Sequence, residues 1–240
     1  MAKTLSKLRF ELLDIINQYS DDFEADYRLL DELIMNKRVK WFEQVFNKFN
    51  NTVPSVYYQS ISCVPMELVS TTDCCEELTG CYVLRSVKQM PQVMSLSDGE
   101  MIAKVAPVGI DGRSYDIISQ FRIPYWGNGK YNKNAIAATY INDYLYLFSK
   151  DTILYPQIEK ISFRAVFRDP KEAGKFTTCE GGICWSEDDP YPIEERLWEY
   201  MKSDILNNDF KMKLGIPRDN VNDNQQNSTD NNQGNGNQKG

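Results

Sequence analysis

In the segment Ile161-Ser-Phe-Arg-Ala-Val-Phe-Arg-Asp-Pro170, apolar and polar side chains alternate up to a marked end. Ile161, Phe163, Ala165 and Phe167 fall on one side of an extended chain, and Ser162, Arg164, Val166 and Arg168 on the other. That two-residue period describes a strand with one core face and one partly exposed face. Pro170 has no amide hydrogen for a ladder and holds Asp169 extended, so the strand stops there. Downstream, a loop over 171–191 carries Cys179 and Cys184 and leads to a helix expected from Pro192 to about Asn208. Ile193, Leu197, Tyr200, Met201 and Ile205 recur in it at steps of three and four and share one face.

Upstream, Leu5, Leu8, Leu12, Ile15 and Tyr19 show helical spacing, with Arg9, Glu11 and Asp14 between them. A second stripe of Tyr27, Leu30, Ile34, Trp41, Val45 and Phe49 predicts a longer helix. The acids Asp21, Asp22, Glu24 and Asp26 before it, and Lys37, Arg38, Lys40 and Lys48 in its second half, suit the helix dipole. Those acids lack the glycine and closing glutamate of a calcium loop.

From Thr52 to Pro170 short apolar runs are bounded by Gly, Pro, Asn and Asp, and strands are expected at 82–87, 101–108, 121–126, 135–141 and 144–148. Asn128-Gly129 and Asn142-Asp143 each lie between two such runs and predict hairpin turns. The expectation is an α+β chain: N-terminal helices and a C-terminal helix form a helical bundle, with a central antiparallel β-rich region, sandwich or barrel-like. Its parts are a helical part (1–51), a β-rich region (52–170), a loop (171–191), a C-terminal helix packing with the helical part (192–216) and a polar Asn/Gln-rich tail (217–240).

Composition narrows the function. The 240 residues are 42% hydrophobic and 25% charged, ordinary globular values. There is no histidine, which removes Ser-His and Cys-His nucleophile pairs, a His general base and imidazole metal ligands. The net charge of -7 opposes adhesion to nucleic acid or anionic membrane by charge alone. No run approaches the roughly 20 apolar residues of a membrane helix, and the first residues lack a signal-peptide apolar block. A soluble protein made in the cytosol is expected, with its six cysteines reduced.

Several patterns invite a chemical reading. Cys74, Cys81, Cys179 and Cys184 could supply four thiolates to zinc, but their spacing is looser than paired C-x2-C, which favours small buried or surface thiols. Gly127-Asn-Gly129-Lys130 lacks the earlier glycine and the hydroxyl residue of a phosphate loop. Asp188 and Asp189 would serve a carboxylate-dependent hydrolase, yet just ahead of a proline-started helix they more simply favour its positive end. Tyr125, Trp126 and Tyr131 around one turn would suit a binding module for sugar or single-stranded nucleic acid, although basic residues there are few. No cofactor site and no catalytic residue is read.

Taken in order, two N-terminal helices with Asp26-Tyr-Arg-Leu-Leu-Asp-Glu-Leu-Ile, the element Cys81-Tyr-Val-Leu-Arg, a β-rich middle, Ala165-Val-Phe-Arg-Asp-Pro170 and the helix after Pro192 resemble one family. The chain is similar, over about residues 5–223, to the head-to-tail connector or ring proteins (adaptor, tail tubular-like) of tailed podovirus-type phages, especially crAss-like phages. The resemblance implies a non-enzymatic virion protein: a subunit of a homo-oligomeric ring, typically a dodecamer, that joins portal to tail and extends the DNA channel. Its implied partners are the portal protein and other tail ring or hub proteins. Genome DNA would pass without sequence-specific binding, no membrane is involved, and assembly would take place in the host cytoplasm. Trp198, Tyr200 and Phe210 in and after the last helix, with Trp126 at the aromatic turn, are the candidates for partner contacts. The 171–191 loop and the tail have no counterpart in the shared pattern.

Beyond Pro217 the sole aliphatic side chain is Val221, so no face of the tail repays the entropy of ordering it. Deleting residues 219–240 is expected to leave the thermal midpoint of the isolated subunit nearly unchanged; a large drop would make the tail part of the fold.

Overall fold

A computed structural model describes residues 3–19, 26–49, 52–70, 82–108, 113–130, 132–133, 135–150 and 157–210. In chain order its elements are α1 (Leu5–Tyr19), α2 (Tyr27–Phe49), β1 (Gln59–Ser70), β2 (Tyr82–Ser86), β3 (Ser95–Leu96), β4 (Gly99–Glu100), β5 (Ile102–Pro107), β6 (Asp116–Ile117), β7 (Ala137–Ile141), β8 (Tyr144–Phe148), β9 (Lys160–Ala165) and α3 (Glu195–Asp204). A π-helical turn, Ile205–Phe210, extends α3. The expected α+β class holds, and the β region is a nearly closed barrel-like sheet.

Seven strands run in the order β5-β9-β1-β2-β8-β7-β6, antiparallel except for β6 beside β7. The Tyr115 amide, just ahead of β6, donates to the Val105 carbonyl on β5 at 2.7 Å and draws the two ends of the sheet together. The long strand β1 makes this curvature possible. Gln59 to Pro65 pair with β9, and Met66 to Ser70 pair with β2. Pro65, with no donor of its own, stands where the partner changes, and a bulge between Ile61 and Val64 lies just before it. This strand was not expected from sequence, because Pro65 and the bulge break its alternation.

Side chains sort to the two sides of the sheet by parity. Leu84, Ala138, Leu145, Leu147, Ile161, Phe163 and Ala165 share one core with Leu8, Leu12, Ile34 and Phe42 of the helices. Val83, Ala137, Ile141, Tyr146 and Phe148 form a second cluster on the opposite face of β2, β8 and β7. The β7–β8 hairpin turns at Asn142 and Asp143, both at positive φ (50° and 63°), as the Asn-Asp pair predicts. Residues 120–125 are instead a 3-10 helix, so Asn128-Gly129 closes no hairpin and sits in a loop where the Gly129 amide donates to Asn132 Oδ1. Strand β9 ends at Ala165. Val166, expected on the exposed side, is buried because its backbone turns to bond Met94 and Met101.

Strand end and helices meet at Arg38. The buried stripe of α2 runs Leu30, Ile34, Arg38, Phe42, Phe46 in steps of four, so the guanidinium lies at a core position and is fully buried. It donates to the carbonyls of Phe167 (2.8 Å), Arg168 (3.3 Å) and Pro192 (3.1 Å), and lies 5.9 Å from the centre of the Tyr191 ring. Three carbonyls just past β9 and ahead of α3 thereby gain the donors they would otherwise lack. Burial lowers the affinity of the guanidinium for its proton, with the facing Tyr191 and Tyr57 opposing this; its ordinary value is so high that the charge remains. Burial also pushes the Tyr191 phenol up to about 12.

Replacing Arg38 by Met keeps the bulk but strands the three carbonyls, and is expected to destabilise the fold by about 3 kcal/mol in urea unfolding. Arg38→Lys should recover less than half of that, since one ammonium cannot span the fork. A loss within experimental error for Arg38→Met would contradict this reading.

Candidate interaction surfaces

The C-terminal helix is held by polar contacts at each end of its buried face. Ile193, Leu197, Met201 and Ile205 are buried as the spacing predicts, whereas Tyr200 is about half exposed. Trp198 is fully buried and its indole N–H donates to Glu11 Oε2 at 2.8 Å, beside Lys3 Nζ at 2.9 Å. That places Trp198 in the subunit core rather than on a contact surface: its step from Leu197 turns it toward α1. Arg9 of α1 joins Asp31 of α2 and Glu187, and Lys171 reaches Asp31. At the far end, Lys37 Nζ, Lys40 Nζ and Trp41 Nε1 donate to Asp204 Oδ2 at 3.0, 3.2 and 3.1 Å.

Between α2 and α3 lies a groove of about 710 Å3 whose walls include Trp41, Val45, Pro54, Tyr57, Leu197 and Tyr200, with Glu194 and Arg196. Trp41 and Tyr200 stack with ring centres 5.5 Å apart and 16° between planes. Trp41 is fixed by Asp204, and Tyr57 packs edge-on to Phe42 and Phe46, so this aromatic wall is set before anything docks. Tyr200 is thus the candidate from sequence that lies on an open surface. Val45 and Trp41 are at the groove because the α2 core stripe passes through Phe42 and Phe46 instead.

A projecting knob forms the second surface. In the 3-10 helix Gln120–Tyr125, Ile123 is buried in the cluster on the outer face of β2, β8 and β7, while Phe121 and Tyr125 are 79% and 76% exposed. Trp126 supports it: partly buried against the same cluster, it donates from Nε1 to the Ala135 carbonyl at 3.3 Å. Reading this segment as a strand hid the knob, although Pro124 with aromatics at 121 and 125 was the available signal. The Phe210 side chain lies outside the described residues.

Two of the three acids at residues 187–189, Glu187 and Asp189, have structural partners. Glu187 pairs with Arg9, and Asp189 accepts from the Ser186 amide and hydroxyl. Cys74, Cys81 and Tyr131 lie outside the described residues, as do residues 211–240 and the acids at 21–24. Cys179, at the Thr178–Gly182 turn, is bonded to Cys63 with a Cα separation of 5.2 Å. This corrects two expectations: that pair is not reduced, and Cys179 has no thiolate for zinc. Cys63 is the bulge residue of β1, at φ 58°, a conformation a non-glycine side chain rarely adopts. Cys184 is free and partly buried, and among the described residues no three potential metal ligands come together. Gly174 is required by packing, since a Cβ there would stand 2.6 Å from the Trp185 carbonyl oxygen.

An α+β subunit with an aromatic groove on one side of its sheet and an aromatic knob on the other has the surfaces of an assembly component. The chain belongs to the family described as phage tail ring protein 2, whose sequence profile matches residues 11–232. It is similar to "Ring protein 2" of Bacteroides phage crAss001, with 30% identity over 199 residues, 81% of this chain and 84% of that one. The resemblance drawn from short motifs is therefore shown, and the chain is a structural protein of the phage tail and a virion component. No helix among the described residues is long and apolar enough to cross a membrane.

Asp204 makes the α2–α3 contact sensitive to acid. Burial alone would raise its carboxyl, but hydrogen bonds from Asn208, Lys37, Lys40 and Trp41 outweigh that and hold it well below the usual carboxylate range. Because the folded form takes up its proton at lower pH than the unfolded one, this stabilisation is complete at neutral pH and fades below about pH 4. Asp204→Asn is expected to lose on the order of 2 kcal/mol at pH 7 and measurably less at pH 3, where the unfolded carboxyl is largely protonated while the folded one is not, so the gap has narrowed without closing. An equal gap at both pH values would contradict the assignment.

Proposed function

We propose that this chain is a subunit of a homo-oligomeric ring in the head-to-tail connector, stacked beneath the portal and extending the channel through which the genome leaves. The observation that carries this is the family match, which spans the barrel, α2, α3 and α1 from Glu11 onward rather than one motif. In this reading α1, α2 and α3 form the bundle that builds the body of the ring, the barrel faces the next tail component, and the ring is a dodecamer matched to the portal. The net charge of -7 fits a conduit wall, because an acidic surface does not retain a passing polyanion. The subunit has no enzymatic role and works through its contacts with the portal and neighbouring ring or hub proteins. Assembly takes place in the host cytoplasm before the particle is complete.

Quantitative mass spectrometry of purified particles is expected to find the chain in a fixed ratio to the portal protein, and the same ratio in tail-less heads that retain the connector. Finding it in infected-cell lysate but never in particles would overturn the proposal.

A further inference from the structure

We propose that Cys63 and Cys179 form a thiol latch, open while the subunit is made and assembled, that closes by oxidation once the particle has left the host cell. This rests on the reading above that assembly takes place in the host cytoplasm, and it adds the site at which the assembled subunit is covalently modified.

The two thiols are carried by elements that hold their shape without the bond. Residues 176–184 form a small hairpin: the Cys184 amide donates to the Phe176 carbonyl at 3.0 Å, Thr177 pairs with Ile183, and the Thr178 amide donates to the Gly182 carbonyl at 2.7 Å. Buried Phe176 and Trp185 anchor its base, whereas residues 179–183 at its tip are exposed. Among the described residues the hydrogen bonds of the tip stay within the hairpin, so the Cys179–Cys63 bond supplies the directional link from tip to barrel. On the other side, Cys63 is fixed in the bulge between Ile61 and Val64 by the β1–β9 pairing. Reduction therefore leaves both cysteines in place, with their Cα atoms near the 5.2 Å of the bonded form, well inside the span of a disulfide. A pair held this way closes at little entropic cost.

Exposure decides where the bond exists. Cys179 stands open to solvent, so a small thiol reaches its sulfur, and exposed disulfides are the ones that exchange with a reducing thiol pool. In the cytoplasm that pool keeps the pair as two thiols. Outside the cell the pool is diluted, and a small-molecule disulfide, RSSR, is the oxidant. The Cys179 thiolate attacks one of its sulfurs and releases RS−, which leaves a mixed disulfide on Cys179. The half-buried Cys63 thiolate then attacks Cys179 Sγ, breaks its bond to SR and releases the second RS−. Two electrons pass from the pair to RSSR, and the two protons leave on two RSH. Cys184 remains a thiol, because it lies at the base of the hairpin opposite Phe176 and not at the tip. Closure thus fastens the loop ahead of α3 to β1 only after the subunit has met its neighbours.

The test compares the chain from infected cells with the chain from purified particles. Both are quenched in acid, unfolded and treated with N-ethylmaleimide, and the peptides are read by mass spectrometry. Cys63 and Cys179 are expected to carry the label in cells and at least about tenfold less of it in particles, with full labelling restored by dithiothreitol. Cys184 should be labelled in both. The isolated subunit is expected to melt roughly 10 °C higher oxidised than reduced. Cys179→Ser, at an exposed turn position, should melt with the reduced form under both conditions. The latch is overturned if the pair is already bonded in cells, if both thiols are free in particles, if label is lost from Cys184 instead, or if oxidised and reduced subunits melt together. Absence of the chain from particles would overturn the ring reading as well, which keeps the two failures apart.

Discussion

A buried guanidinium that donates to main-chain carbonyls holds the two halves of this subunit together. Arg38 occupies a core position of α2, and its carbonyl partners lie just past β9 and just before α3. Nε and Nη1 are matched by the three carbonyls, whereas Nη2 is buried with no hydrogen-bond partner among the described residues; removing any of the three segments would leave further unsatisfied groups around the charge. Helices and barrel are therefore fixed relative to each other by a directional contact and not by apolar packing alone. The Cys63–Cys179 bond adds a covalent tie between β1 and the loop after β9. By closing a 116-residue separation, it would stabilise the fold by roughly 4–5 kcal/mol on chain-entropy grounds.

Rigidity of this kind matters for a ring. Each subunit repeats the same angle to its neighbour, and a hinge between helices and barrel would let that angle drift and the ring fail to close. The ion pairs Arg9–Asp31 and Arg9–Glu187 and the bond from Trp198 to Glu11 serve the same end by tying α1 to α2 and α3. Polar side chains that a sequence reader would place on the surface are here the joints between elements.

Those joints mark where the sequence was legible and where it was not. Helix α1, the β7–β8 hairpin and strand β9 follow local rules of spacing and turn chemistry, and the chain shows them openly. The buried stripe of α2 was misplaced because Arg38 interrupts it: periodicity counts apolar residues, and a charged one at the centre shifts the apparent face toward Trp41 and Val45. Strand β1 was hidden because it changes partners at Pro65, a tertiary event with no local signature. The segment 120–125 is apolar enough for a strand, but only the β2–β8–β7 wall beneath Ile123 makes it a 3-10 knob. Of the contact candidates, Tyr200 lies on the groove while Trp198 turned inward by one residue step, a distinction that burial alone could settle. The bond between Cys63 and Cys179 joins residues remote in sequence and likewise needed the fold.

The most direct examination of a rigid subunit with two unlike sides is an electron cryo-microscopy reconstruction of the connector at side-chain resolution. The account predicts a closed ring in which each copy keeps the Arg38 contacts to Phe167, Arg168 and Pro192. Copies related by two-fold axes through identical patches, or a ring in which helices and barrel have separated at Arg38, would contradict it.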